Sequence, residues 1–231
     1  MVPSLKKTSL RRGLVHAVYQ AGRAPVDVQR PNQSWSAGAG GAGTVTYMRR
    51  GKGLNVYVPS TTNVGYSFSG PTEDSRRISQ WPATIICYMR REALTTTVDV
   101  IFGSRNTLSP FSNLAVLGLA TEIPQVAYNA GGTAGSLSAA QATTVGQEIV
   151  FAAVIAPRHQ WAYVNGQVQA EGTTTAGSGP TYGATRYFTW GGTGATVNLF
   201  HSIAAGYVYR RLLSSLEQRM IAANPLCVLQ N

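Results

Sequence analysis

From residue 54 to residue 209 the chain offers one short apolar run after another, with turn residues between them and no helical pattern in the gaps. In LNVYV (54–58), Leu54, Val56 and Val58 share one face and Asn55 and Tyr57 the other, the period of a half-buried strand. ATIICYM (83–89) is almost continuously apolar, as expected of a central strand. TVDVIFG (97–103) puts Val98, Val100 and Phe102 on one side, and SNLAVLGLA and QEIVFAAVIA continue the series. The sharpest signal is QWAYVNGQVQA (160–170). Asn165-Gly166 between alternating apolar residues predicts a type I′ hairpin, because both turn positions need positive φ. RYFTWGG and TVNLFHSIAAGYVYRR supply further strands. Many short strands without intervening helices predict an antiparallel two-sheet sandwich rather than a parallel α/β sheet.

One stretch breaks the pattern. After the strand-like AAGYVYRR, SSLE offers Ser214 as N-cap and Glu217 three residues on, the two halves of a capping box. Leu216, Met220 and Ile221 then share a face, and Asn224-Pro225 ends the segment, Asn tolerating a left-handed turn and Pro being unable to continue a helix. A helix this short is unstable alone and is expected to cover a sheet as a structural lid.

At 231 residues the chain suits one large β domain or two small ones. Charged residues are only 12% and hydrophobic ones 44%, a balance that excludes disorder. No run of about 18 apolar residues suggests a membrane span. MVPSLKKTSLRRG lacks the apolar segment of a secretory signal, so the expected site of synthesis is the cytosol, with Cys87 and Cys227 reduced. The net charge is +10, from sixteen Arg and only Lys6, Lys7 and Lys52. Five Arg-Arg pairs, at 11–12, 49–50, 76–77, 90–91 and 210–211, are spread along the chain, which argues against a nucleic-acid stripe. Arg without Lys fits a protein interface, and a GC-rich coding sequence accounts for it equally well.

No catalytic or metal constellation stands out. Glycoside hydrolysis by paired carboxylates needs two of them facing across the bond, and no two of the nine acids sit two apart on a strand. The expectation is therefore a chain that is not an enzyme and has no cofactor. Scattered acids also argue against a calcium loop. GAGGAG (38–43) lacks the strand–turn–helix context of a phosphate-binding motif and reads as a loop. His16 and His201 lie in apolar strands and read as core residues, as do Trp81 and Trp161 at strand starts. Trp35 and Trp190 border Gly-rich loops and are the candidates for stacking on a sugar, packing at the sandwich edge being the plainer alternative. Residues 1–12 form a basic arm before a domain spanning 13–231. Its Lys6, Lys7, Arg11 and Arg12 read as a solvated tail, a nucleic-acid contact or a strap onto a neighbouring subunit.

IAAGYVYRRLLS followed by SLEQRMIAANP resembles the closing segment of concanavalin A-like lectin/glucanase domains, the LamG-type jelly rolls, in the form familiar from bacteriophage-encoded members. GLVHAVY, RGKGLNVYVPS, WPATIICYMRR and WAYVNGQV match that family's strands in order, so the resemblance covers residues 13–229. It implies two packed antiparallel sheets. It also implies a bacteriophage virion structural protein, a capsid decoration or cement protein or a head or tail accessory. Lys6, Lys7, Arg11 and Arg12 would then bridge to the major capsid protein or other virion proteins, or to further copies of the chain. The alternative is a lectin-like module of a tail fibre or spike that binds host glycans through Trp35 or Trp190.

Overall fold

The two runs that read as continuously apolar, Ala83–Arg91 and Glu148–Ala156, are buried along almost their whole length. Strands hidden on both faces need an apolar cover on each, and that requirement organises the fold. The structure is a computed structural model that describes residues 10–37, 44–55, 65–68, 82–93, 99–106, 114–118, 123–130, 133–173, 186–191 and 201–229. One sheet contains β1 (Leu14–Gln20), β2 (Pro25–Asp27), β4 (Thr44–Met48), β5 (Gly51–Asn55), β7 (Ala83–Arg91), β12 (Glu148–Ala156), β13 (His159–Val164), β14 (Gln167–Gly172) and β16 (His201–Tyr209). The other contains β3 (Ser36–Ala37), β6 (Tyr66–Phe68), β8 (Asp99–Asn106), β9 (Leu114–Gly118), β10 (Pro124–Ala130), β11 (Thr133–Ser138) and β15 (Arg186–Trp190). The first runs β14-β13-β12-β7-β16-β1-β2, with the β4–β5 hairpin joined to β16 through β5. The second runs β11-β10-β9-β8-β15-β6-β3, and the strand pairs are antiparallel. The chain is an all-β sandwich.

Its inner core lies between the sheets. Val18, Ile85, Cys87, Met89, Phe151, Ile155 and Val208 of the first sheet meet Phe102, Val116, Val126, Phe188 and Trp190 of the second. Gly206 is needed there, because a Cβ would sit 2.7 Å from the Phe102 ring. The alternate residues of the same central strands, Ile86, Tyr88, Val150, Ala152, Tyr207 and Tyr209, form a second core on the outer face of the first sheet. Helix α1 (Ser215–Ala223) and the residues flanking it supply the cover, through Leu213 before the helix, Met220 and Ile221 within it, and Val228 in the turn after it. The helix is the lid that the sequence predicts.

Its start matches the predicted capping box. Glu217 N–H donates to Ser214 Oγ (3.3 Å) and Ser214 N–H to Glu217 Oε2 (2.9 Å). Arg211 adds a two-pronged bond, Nη2 to Oε1 at 2.6 Å and Nη1 to Oε2 at 2.9 Å. Burial acts to raise the Glu217 pKa, but the bonds from Arg211 and Ser214 outweigh it and hold the carboxyl below its ordinary value. The end differs from expectation. Asn224 is the C-cap but has φ −139° and ψ 89°, not left-handed, because the following Pro225 steers its neighbour into extended geometry. Asn165 and Gly166 both take positive φ, 51° and 76°, closing the β13–β14 hairpin as a type I′ turn.

Several faces depart from simple alternation. A register shift between Val100 and Phe102 breaks the expected Val98–Val100–Phe102 stripe, and Ile101 and Phe102 both enter the inner core. Similar shifts fall between Leu14 and His16 and between Ile203 and Ala205. Val56 and Val58 of the LNVYV run, Trp81, and the GAGGAG segment lie outside the described residues, as do Lys6 and Lys7. Leu10, inside the expected arm, is 2% exposed and joins the outer core, while the Arg12 carbonyl accepts from Arg211 Nε at 2.6 Å.

Candidate functional site

The β4–β5 hairpin branches from the main strand order of the first sheet, joined to it through β5 and β16. Met48 anchors it in the outer core, and Gly53 leaves room for that side chain, since a Cβ there would lie 2.6 Å from the Met48 sulfur. Met48 pairs with Gly51, so Arg49 and Arg50 are the two tip residues, with Gly51 at φ +97° completing the turn. Tyr47, just before the tip, is 77% exposed, the most exposed large hydrophobic among the described residues. The Arg49 and Arg50 side chains are exposed as well, and neither guanidinium forms an ion pair among the described residues.

Behind the tip lies a cleft of about 300 Å³, walled by Arg49, Arg50, Tyr88 and Glu148, by Asn165 at the β13–β14 turn, and by Ala222, Ala223 and Pro225 at the end of α1. Its floor is ordered. Tyr88 Oη–H donates to Glu148 Oε2 (2.5 Å), Arg49 N–H to Glu148 Oε1 (2.8 Å) and Arg50 N–H to Tyr88 Oη (3.2 Å). Burial first, and then the Glu148 carboxylate, push the Tyr88 pKa well above its ordinary value, so the phenol keeps its proton and acts as a fixed donor. Arg90 ties the hairpin to the sheet, with Nη1 on the Tyr47 carbonyl (2.9 Å) and Nη2 on Thr46 Oγ1 (3.3 Å). Glu92 holds Arg90 through Nε (2.9 Å) and is itself bonded by Ser202 Oγ–H. The tip is therefore positioned in advance, which lowers the ordering cost of any ligand it takes.

The residues expected from the sequence fall elsewhere. Trp190 is fully buried, and its Nε1–H donates to Gln20 Oε1 at 2.8 Å. It cannot stack on a sugar, because the register of β15 against β8 and β6 turns it into the inner core. Trp35 is half-buried with its ring edge against Phe188, 6.3 Å between centroids. For both tryptophans the packing alternative is the one the structure shows. His16 is a core residue whose Nδ1–H donates to Asp27 Oδ2 at 2.6 Å, and its ring stacks on Phe188 at 4.4 Å. Cys87 is a buried thiol whose pKa is pushed up by burial, and neither Cys87 nor Cys227 is joined in a disulfide. No group of three or more His, Cys, Asp or Glu is placed to hold a metal among the described residues, and no helix there is long and apolar enough to cross a membrane. Tyr47, Arg49 and Arg50 went unassigned in the sequence. The sequence there carries an Arg pair beside a tyrosine, YMRRGK, but the same YMRR string recurs at 88–91, so the pattern alone does not single out the tip.

No protein-family model and no curated protein matches the chain. Solved structures do. A Trypanosoma rangeli sialidase aligns with 96% of this chain and 33% of its own length, at 19% identity and a TM-score of 0.64. The binding domain of Paraclostridial Mosquitocidal Protein 1 aligns with 92% of this chain and 52% of its own, at 13% identity and a TM-score of 0.70. A botulinum neurotoxin type C structure, whose cell entry depends on interaction with two ganglioside molecules, aligns with 94% and 53%, at 12% identity and a TM-score of 0.65. The chain thus spans about a third of the sialidase and about half of the two toxin structures. The sialidase match overturns the expectation that the chain is not an enzyme. Glycosidases include chains that share this fold, and a tyrosine can replace one carboxylate as the nucleophile, so a missing carboxylate pair excludes nothing. What the likenesses establish is the architecture: this chain is an antiparallel β-sandwich of jelly-roll type.

Proposed function

We propose that this chain is a carbohydrate-recognition domain of concanavalin A-like type, and that it takes an acidic glycan at the β4–β5 tip. One observation carries the reading. Tyr47, 77% exposed, precedes two tip arginines whose guanidiniums form no ion pair among the described residues, and those arginines wall a cleft whose floor is an ordered Tyr88–Glu148 pair. An exposed aromatic face stacks on the apolar face of a sugar ring. Guanidinium groups bind a carboxylate with paired, charge-assisted hydrogen bonds. Glu148 and Asn165 offer acceptors and donors for hydroxyls. In support, one sialidase chain of this fold is seen with sialic acid, and the neurotoxin interacts with gangliosides.

The virion role implied by the resemblance rests on the basic arm. Lys6 and Lys7 lie outside the described residues, so the glycan reading is the one with geometry behind it. A glycan array tests it. The wild-type chain should bind acidic glycans in preference to neutral ones, and Tyr47→Ala should weaken that binding about tenfold while leaving the melting temperature unchanged. Equal signals from wild type and Tyr47→Ala, or no preference for acidic glycans, would refute it.

A further inference from the structure

One carboxylate does not balance the charge gathered around the hairpin cleft. Arg49 and Arg50 form no ion pair among the described residues, and neither does the exposed Arg219 on α1. Glu148, the carboxylate among the described lining residues, already faces Arg90 Nη1 at 3.8 Å and accepts from Tyr88 Oη–H and the Arg49 N–H. Resting on the acidic-glycan reading of the tip, we propose that the ligand is a polyanionic glycan with an acidic group on successive residues. Arg219 then holds an acidic group further along the chain than the one at the tip.

Helical spacing puts Arg219 in line with the cleft. Ala222 and Ala223, three and four residues on, share its face of α1 and wall the cleft. That face is pressed against the β13–β14 turn. A Cβ on Gly166 would lie 2.8 Å from Arg219 Cα and 3.2 Å from Ala222 Cβ, so glycine is what lets helix and turn meet. Arg219 Nε–H donates to the Ser215 carbonyl one turn earlier, at a long 3.4 Å, which leans the side chain toward the helix start. The guanidinium therefore lies roughly two turns, ~11 Å, from the alanine wall, a span for about two sugar units. Both Nη groups are left for a ligand.

Asn165 supplies the contact between the two ends. Its Oδ1 accepts from the Val150 N–H at 2.9 Å, which fixes the amide and leaves the Nδ2 donors at the cleft wall. The resulting order is guanidinium pair, amide donor, guanidinium, with one aromatic at its start. Among the described residues Tyr47 is the exposed aromatic. A single-stranded nucleic acid is held by a row of stacking faces for successive bases, so the arrangement favours a charged sugar chain.

The test is calorimetric titration of the whole chain with sialic acid and with its α2,8-linked dimer and trimer, in which every residue carries a carboxylate, at two salt concentrations. The trimer should bind at least about tenfold tighter than the single sugar, because its further contacts form within one molecule. It should also lose affinity more steeply as salt rises. Arg219→Gln keeps an aliphatic stem against Gly166 and should weaken trimer binding about tenfold, toward that of the single sugar, and Arg219→Lys by less. Arg158→Gln changes an exposed arginine at the other end of β13, roughly 23 Å from Asn165 at about 3.3 Å per residue, and should leave the trimer's affinity as it is. A trimer that gains no more than its count of residues accounts for statistically would overturn the proposal and leave the tip site standing. So would a gain that Arg219→Gln leaves intact or that Arg158→Gln removes equally. A single-stranded oligonucleotide of matched charge that binds as tightly as the trimer would overturn it too, assigning the track to charge alone. Failure of the single sugar to bind would remove the tip site itself, and the longer site with it.

Discussion

Trp190→Ala is expected to lower the stability of the chain by about 3–5 kcal/mol, the cost of emptying a large aromatic site in a close-packed core. Trp190 packs edge-on against Phe102, 5.7 Å between centroids, between the two sheets. Its indole N–H is the donor to Gln20 Oε1, and Gln20 in turn donates to the Gly22 carbonyl at 2.6 Å and the Arg23 carbonyl at 3.1 Å. The substitution therefore removes ring volume and also leaves a buried carbonyl oxygen without its donor, a further penalty. Urea unfolding of wild type and variant measures the difference. A sugar-stacking Trp190 would behave in the opposite way, giving an unchanged unfolding midpoint and lost binding, and that outcome would contradict its place in the core.

Asp27→Ala should cost about as much, roughly 3–5 kcal/mol, because it breaks a buried hydrogen-bonded pair and leaves the other members behind. Asp27 Oδ2 accepts from His16 Nδ1–H, while Oδ1 accepts from the Ala17 N–H at 3.1 Å and the Gln29 N–H at 3.0 Å. Neither Asp27 nor His16 has appreciable exposure. Asp27→Asn keeps one acceptor oxygen and should cost less. Burial acts to raise the Asp27 pKa, but the bond and charge of His16 and the two backbone donors overcome it, so the folded-state value lies below the ordinary 3.8. The sign for stability follows. A carboxyl depressed by folding contributes fully above its unfolded value, and the contribution is lost as the pH falls from there through the folded value. Glu217, lowered from 4.5, acts in the same sense. The wild type should therefore lose stability on acidification below about pH 4, and Asp27→Ala should show a shallower decline over the same range. Parallel pH profiles would assign the acid sensitivity to other groups.

The sequence was readable wherever the determinant was local. The Ser214–Glu217 box and the Asn165-Gly166 turn each depend on residues within three positions of one another, and both form as expected. The doubly buried strands betrayed themselves by losing alternation. Side-chain parity was harder, because one extra residue in a strand flips every face beyond it, as the irregularities near Val15 and Ala204 show. Trp190 looked available because it borders a glycine-rich stretch, yet its hydrogen-bond partner is 170 residues away. The hairpin site was invisible for the same reason. Tyr88 and Glu148 are 60 residues apart, and they meet because β7 and β12 are neighbours in the sheet. The Arg49-Arg50 pair was plain in the sequence, but nothing local set it apart from the other four Arg pairs.

The most direct measurement is calorimetric titration of the intact chain with a carboxylate-bearing sugar such as sialic acid and, separately, with its methyl ester, which keeps the ring and hydroxyls but abolishes the charge. Recognition by Arg49 and Arg50 predicts that esterification weakens binding at least about tenfold, and that Arg49→Gln with Arg50→Gln brings the acid down to the level of the ester. Acid and ester binding equally well, or neither binding at all, would contradict it.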